Sequence, residues 1–250
     1  LIPSQTLSDE QFLRGDANGP TVQLTAELRL PQGSQAKWPA VVIMHGSGGI
    51  SPANQNWAQV LNQAGYASLV VDSFTGRGLG QVSTDQARLG RFAGVLDAFR
   101  AYEVLSRHPR IDPNRIAFLG TSRGGTAVIY TAMKRFQALW SPQFKGWATF
   151  PLYPSCFDRL DRDDEVSMPI HAFHGEIDDY ASKAPCLAWI DRLAAQGRVA
   201  TNTVYPQAAH GYDNLLSSTT PVVSPGAQST RMCRITERAG ALINTEENKP

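Results

Sequence analysis

Arg115-Ile116-Ala117-Phe118-Leu119-Gly120-Thr121-Ser122-Arg123-Gly124-Gly125-Thr126-Ala127-Val128-Ile129-Tyr130 is the stretch that decides the fold. Arg115 to Leu119 is a short apolar run of the kind that forms a buried strand. Gly125 to Met133 is apolar too, and long enough to read as a buried helix. Between them sits Gly-x-Ser-x-Gly, and a serine on so abrupt a strand-to-helix turn is the arrangement of a nucleophile elbow. Gly120 and Gly124 fall where a Cβ would strike neighbouring backbone. Strain in such a turn lifts the Ser122 hydroxyl clear of the sheet. Amides at the N-terminus of the following helix are left free to hold negative charge. A glycine-rich turn with an incidental serine is the plainer reading. The strand before and the helix after are the context the motif requires, and they favour the elbow.

Working outward, Trp38 to Met44 is apolar throughout, as in a strand covered on both faces, and runs into His45-Gly46-Ser47-Gly48-Gly49. Tyr66 to Val71 is a second such run, ending at Asp72-Ser73-Phe74 before the loop Arg77-Gly78-Leu79-Gly80. Helical spacing appears in Trp57, Val60, Leu61 and Ala64, and again in Phe92, Val95, Leu96, Phe99 and Tyr102. Residues 1–20 read as polar and turn-rich, and Val22, Leu24, Ala26 and Leu28 alternate like a half-buried antiparallel strand. Downstream, Trp147 to Phe150 and Pro169 to His174 read as strands, and Cys186, Trp189, Ile190 and Leu193 mark a helix. Val199 to Tyr205 is the last predicted strand, and Met232, Ile235, Ala239 and Leu242 predict a closing helix. This alternation demands the α/β class, a mainly parallel central sheet with helices on both faces. No shift in composition divides residues 1–250, so one domain is expected. Sites in such sheets lie beyond the carboxyl ends of the strands, where His45, Asp72, Ser122, Asp178 and His210 all fall.

Composition removes several classes of function. The chain is 42% hydrophobic and 18% charged, enough apolar material for a sizeable core. Its formal net charge is +1 with both signs interspersed, so neither a nucleic-acid partner nor attachment to an anionic membrane is expected. No apolar run approaches the ~18 residues of a membrane span, so no membrane insertion is expected. Cys156, Cys186 and Cys233 fit no metal-ligand spacing, and Gly46 to Gly49 lacks the lysine or the further glycines of a nucleotide loop. No metal and no cofactor is expected. The first residue is Leu1, consistent with a removed leader or a trimmed chain. A secreted or periplasmic protein is the expectation, with a cytoplasmic one as the alternative. Cys156 and Cys186, which flank one predicted strand, are the expected disulfide. The sequence carries no signal for an oligomeric state.

A serine hydroxyl needs a base beside it to become a nucleophile. Of the five histidines, only His210 lies downstream of the candidate acids, in the loop Gln207 to Gly211 after a strand. Glu176, Asp178 and Asp179 all follow the strand 169–174, and the acid must be buried and fixed to orient the imidazole. Adjacent aspartates cannot both point inward, and Asp178 is chosen, with Asp179 as the fallback. Serine, then acid, then histidine is the chain order of α/β-hydrolases. The expected oxyanion donors are the backbone N–H groups of Ser47 and Arg123, one from each glycine-rich turn. Gly48, Phe74 and Arg77 are expected substrate contacts, with Arg77 and Arg123 able to steer an anion. His45 is expected to be structural.

On these residues the chain resembles the dienelactone hydrolase family of α/β-hydrolases. The resemblance rests on His45-Gly46-Ser47-Gly48-Gly49, Asp72-Ser73-Phe74 with Arg77-Gly78, and Gly120-Thr121-Ser122-Arg123-Gly124. It continues through Gly175-Glu176-Ile177-Asp178 and Ala209-His210-Gly211, so that it spans roughly residues 22–244. It implies Asp178 as the acid. The namesake enzymes carry a cysteine at the elbow, so Ser122 points to a relative resembling serine carboxylesterases. Cap domains of α/β-hydrolases enter after the strand that follows the elbow helix, and here that connection is only residues 152–168. An α/β-hydrolase fold without a substantial cap is therefore expected. Its open site would suit small acyl or aryl esters, or an exposed ester on a larger molecule. The alternatives are an amidase or small-peptide hydrolase on the same fold, or an inactive relative that only binds.

Overall fold

The computed structural model describes residues 1–156, 158–214, 223–229 and 233–245. Along the chain come β1 (Ile2–Gln5), α1 (Asp9–Arg14), β2 (Thr21–Arg29), β3 (Trp38–Met44), α2 (Pro52–Gln63) and β4 (Ala67–Asp72). Next are α3 (Ala93–Ser106), β5 (Ile111–Thr121), α4 (Arg123–Tyr130), α5 (Lys134–Trp140), β6 (Thr149–Leu152) and β7 (Asp158–Arg159). The chain closes with β8 (Ile170–Gly175), α6 (Lys183–Ala195), β9 (Ala200–Tyr205), β10 (Ile235–Arg238) and β11 (Ala241–Asn244). Eight strands form the main sheet in the order β1-β2-β4-β3-β5-β6-β8-β9. From β4 to β9 every pairing is parallel, and β1 and β2 add an antiparallel edge. With its helices this is the α/β-hydrolase architecture.

The two faces can be read from β3 residue by residue. Val42 and Met44 point to the side packed by α3, α4, α5 and α6, while Val41 and Ile43 meet Ala58 and Trp57 of α2. That alternation inside an all-apolar run is what a central strand between two helical layers requires. The α3 stripe Val95, Leu96, Phe99 and Tyr102 is buried, as its spacing predicts.

Both ends of the chain depart from expectation. Residues 1–20 supply β1 and α1, and Phe12 of α1 stacks on Phe92 and Trp140 at centroid distances of 5.0 and 5.3 Å. The signal was a capping box. Ser8 accepts from the Gln11 N–H, and the Gln11 side chain accepts in return from the Ser8 N–H. The predicted closing helix is instead the hairpin β10–β11. Its two-residue turn, Ala239-Gly240, has φ of 52° and 78°, the positive pair that a tight right-twisted hairpin demands. Ile235, Ala239 and Leu242 thus have helical spacing without a helix, and Met232 lies outside the described residues.

The connection after β6 holds no helix among the described residues. It contributes β7, which joins β10 and β11 in a small second sheet, and it is tied to α6 by the Cys156–Cys186 disulfide. Arg135 of α5 pairs with the buried Glu237 of β10, which pins the second sheet to the body of the molecule.

The bridge closes a loop of 30 residues. A loop of that size gives about 3.6 kcal/mol of stabilisation by restricting the unfolded chain. Reduced protein is therefore expected to unfold at markedly lower urea than oxidised protein. Coincident urea curves for the two forms would show that the bridge adds nothing.

Candidate active site

β5 delivers Ser122 to the carboxyl edge of the sheet with φ 54° and ψ −117°, a conformation that costs a non-glycine residue strain. Close packing enforces it. A Cβ on Gly120 would stand 2.1 Å from the Gly124 carbonyl oxygen, and one on Gly124 would stand 2.2 Å from that of Met44. The Ser122 N–H donates to Leu152 O at 3.0 Å, tying the turn to β6.

Three side chains from three loops meet there. His210 Nε2 lies 2.9 Å from Ser122 Oγ, and His210 Nδ1 lies 2.8 Å from Asp178 Oδ2. Asp178 is buried, and its other oxygen accepts from the N–H groups of Tyr180 and Ala181 at 3.0 and 2.9 Å. The carboxylate thus has one fixed position, with one lone-pair direction aimed at the imidazole. Asp179 and Glu176 are exposed. Rings of Tyr153 and Tyr180 pack on His210, each with its centroid 4.7 Å away. The loop bearing His210 is anchored by Asp213, which accepts from Tyr153 Oη at 2.6 Å and Trp57 Nε1 at 2.7 Å.

The turn 45–49 lies against the elbow, where a Cβ on Gly46 would stand 3.3 Å from Ser122 Cβ. His45 holds this turn from below. Its Nε2 accepts from the Ser73 N–H at 3.1 Å, so Nδ1 carries the proton toward Gly46 O at 2.7 Å. Burial keeps the imidazole neutral by lowering its pKa. The structural role expected of His45 fits this placement. The Ser47 N–H donates to no acceptor among the described residues. Arg123 N–H opens α4, one of the amides a helix leaves unpaired.

The expected substrate contacts fare unevenly. Gly48 is exposed beside the cleft, with open space where a side chain would stand. Phe74 is instead a core residue, 2% exposed and edge-on to His45, in a small cluster with Val82, Leu89 and Ala93. Arg77 is also corrected. Its guanidinium is buried and all five N–H donors are engaged, on Asp97 twice, Ser73 O, Gln5 O and Thr6 Oγ1. It braces β1 to α3 and has no donor left for a substrate. Arg123 points its side chain along the cleft floor, donating to Leu89 O, Gly90 O and Gln86 Oε1. Desolvation there brings its pKa down to about 10.

A cleft of about 540 Å³ opens over Ser122. Asp9, Gln86, Tyr180 and Gln228 line it beside the elbow, and none of these was singled out from sequence. Asp9 arrives through the unforeseen α1. Gln228 arrives from residues 223–229, whose Gln228 N–H donates to Ser83 O at 2.9 Å. Only residues facing a motif from elsewhere in the chain were missed, because nothing local marks them.

The Dienelactone hydrolase family model matches residues 24–242, from the second strand of the sheet to the last hairpin. The chain belongs to the dienelactone hydrolase family. At the level of that family it is an ester hydrolase. Among solved structures this dienelactone hydrolase relative is similar to a dienelactone hydrolase-like promiscuous phosphotriesterase from metagenomic libraries. The two are 16% identical, with a TM-score of 0.68 over 93% of this chain and 92% of that one. It is also similar to the butyrate-bound esterase 2 of the planctomycete Thermogutta terrifontis, at 18% identity and a TM-score of 0.60 over 78% and 82% of the two chains. The same esterase phosphonylated by cyclosarin aligns at 19% identity and a TM-score of 0.62 over 79% and 83%. At these identities the likeness is one of fold. No curated protein matches the chain. Among the described residues no helix is long and apolar enough to cross a membrane.

Two expectations test these placements. Arg77→Ala strands the buried Asp97 carboxylate, which costs about 3–5 kcal/mol, while ester turnover per folded molecule stays near wild type. A normal urea midpoint with a raised KM would instead make Arg77 a substrate contact. The second concerns pH. His45 and His174 are both buried with lowered pKa, so the unfolded chain takes up protons near pH 6.5 that the folded one refuses. Stability is therefore full above about pH 6.5 and falls as pH drops below it, by up to about 1.4 kcal/mol per pH unit for each histidine. Replacing His174 by Gln should flatten that slope in urea titrations between pH 7.5 and 5.5. An unchanged slope would remove burial of His174 as a cause.

Proposed function

We propose that the chain is a serine hydrolase that cleaves carboxylic esters through an acyl-enzyme, in one domain spanning residues 1–250. The observation that carries this reading is the unbroken line from Ser122 Oγ through His210 to Asp178, with contacts of 2.9 and 2.8 Å. His210 Nε2 takes the hydroxyl proton as Ser122 Oγ attacks the ester carbonyl, and Asp178 stabilises the imidazolium that forms. The carbonyl oxygen gathers charge beside the N–H groups of Ser47 and Arg123. His210 then gives its proton to the departing alcohol. A water molecule, activated by the same histidine, releases the acid and restores Ser122.

The cleft supports a small or polar substrate. Among the described side chains that line it, only Ala87, Leu89 and Ala181 are aliphatic. A long alkyl chain would strip water from Asp9, Arg91 and Gln228 and return no hydrogen bonds. The Cys156–Cys186 bridge supports an oxidising compartment, either secreted or periplasmic.

Steady-state hydrolysis of p-nitrophenyl esters from acetate to decanoate tests the reading. Acetate and butyrate are expected to turn over well and decanoate poorly. Ser122→Ala is expected to lose at least about a thousandfold in kcat, and Asp178→Asn about ten-thousandfold, because the imidazole then takes the wrong tautomer. Folded protein that hydrolyses none of these esters but cleaves amides would replace esterase with amidase. Residual full activity in Ser122→Ala would end the serine mechanism altogether.

A further inference from the structure

Gln86 stands at a junction that the mechanism above does not use. It opens a single 3-10 turn, Gln86 to Arg88, in the long loop before α3, far in sequence from every motif. Its amide group touches three residues. Arg123 Nη1 donates to Gln86 Oε1 at 2.8 Å. Because a guanidinium only donates, that contact fixes which end of the amide is oxygen. Gln86 Nε2 is therefore the end that donates to Ser47 Oγ at 2.9 Å and to Tyr180 Oη at 3.1 Å. Tyr180 Oη–H donates to Gln228 O at 2.6 Å, and the Gln86 N–H donates to Gln228 Oε1 at 2.8 Å. The Ser47 hydroxyl also lies 3.0 Å from Gln86 Oε1, to which it donates, so Ser47 Oγ meets both ends of the amide.

The three residues bonded by this one amide are the three that frame the reaction. Ser47 and Arg123 carry the two N–H groups aimed at the carbonyl oxygen. Tyr180 packs on the His210 ring and gives its backbone N–H to Asp178. We propose that Gln86 is a positioning residue for the oxyanion site, holding the Ser47 turn, the Arg123 helix start and the Tyr180 loop in one register. The inference rests on the serine-hydrolase reading above.

Physical support comes from how Gln86 is itself held. Phe74, Val82, Leu89 and Ala93 form a small apolar cluster beneath its loop, and Arg123 Nη2 clamps Leu89 O and Gly90 O at 2.5 and 2.7 Å. Val82 N–H donates to Ser47 O at 2.8 Å, so the same loop grips the oxyanion turn by its backbone as well. Dipoles that are fixed before the reaction need no reorganisation as charge develops, which is where their rate advantage lies. With Gln86 removed, Ser47 and Arg123 keep their N–H groups but lose the tie that sets their separation.

Gln86→Met, which keeps length and loses every side-chain hydrogen bond, and Gln86→Ala form the test. Removing one direct oxyanion donor costs roughly 10²- to 10³-fold in kcat, so a residue acting through two donors is expected to cost about ten- to a hundredfold. KM for p-nitrophenyl acetate should stay within about threefold, so that the loss falls on kcat. A second readout needs no turnover. The rate at which a fluorophosphonate labels Ser122, followed by intact-mass spectrometry per folded molecule, should fall by a similar factor. Wild-type labelling rates in both folded variants would overturn the proposal and leave the serine mechanism standing. A loss confined to KM, or one matched by loss of folded protein in the thermal unfolding curve, would overturn it too. Absence of labelling at Ser122 in the wild type would sink the serine reading itself and this inference with it.

Discussion

Backbone-to-backbone contact at the elbow is the constraint on which the rest depends. β3 and β5 approach α4 so closely that Gly124 lies under the Met44 carbonyl, with 2.2 Å left where a Cβ would go. That approach throws Ser122 into φ 54°, and the strained serine stands proud of the sheet. It also brings the turn after β3 against the elbow, so Ser122 and the Ser47 amide are set by one packing contact. The strain is sustained because β3 and β5 are fixed by neighbours on both sides of the sheet. An isolated turn of this sequence would relax.

Electrostatic order in the site follows the same economy of parts. Asp178 binds two backbone amides with one oxygen and His210 with the other, so its charge is spent on orientation. Arg123 divides its work between main chain and side chain. The guanidinium is occupied by Leu89 O, Gly90 O and Gln86, which keeps a buried cation from collapsing onto Ser122 while the amide stays free. Arg77, the other arginine that might have met a substrate, is absorbed by Asp97 and the edge strand. A loop arginine that meets a substrate and one that braces the fold are the same string of letters until a partner is located.

What could be read from sequence was what is local. The covered runs 38–44 and 115–119 read as strands because a parallel strand between two layers has no polar face to confuse it. Ser122, Asp178 and His210 were picked because each follows a strand, and the structure brings these three side chains together. α1 was lost because its evidence is a capping box inside an otherwise polar segment, with only Phe12 and Leu13 to bury. The C-terminal hairpin was mistaken for a helix because Ile235, Ala239 and Leu242 happen to be spaced at about one turn. Gly240 in the middle was the contrary signal, since glycine opposes a helix interior and favours a positive-φ turn. Phe74 was mistaken for a substrate contact because a strand-end aromatic is equally suited to a cleft or to the small core under its loop.

Gln86 belongs to a different class of omission. A glutamine in a loop of small and polar residues has no pattern, and its meaning arises only when three loops converge on it. Ser122, Asp178 and His210 each follow a strand, but the distances between those strand ends are set by loops that no strand controls. A group that spans these loops has to offer both donor and acceptor, because Arg123 only donates whereas Tyr180 Oη, whose O–H donates to Gln228 O, accepts. A side-chain amide is neutral and does both from two separate atoms, two N–H donors on one and an acceptor oxygen on the other. A carboxylate in that place would accept from Arg123 but have no proton to give Tyr180 Oη. A lysine would donate to Tyr180 but leave Arg123 unmatched and add a second cation. The chemistry of the neighbours thus selects the residue type, and the geometry of the elbow selects where it must stand.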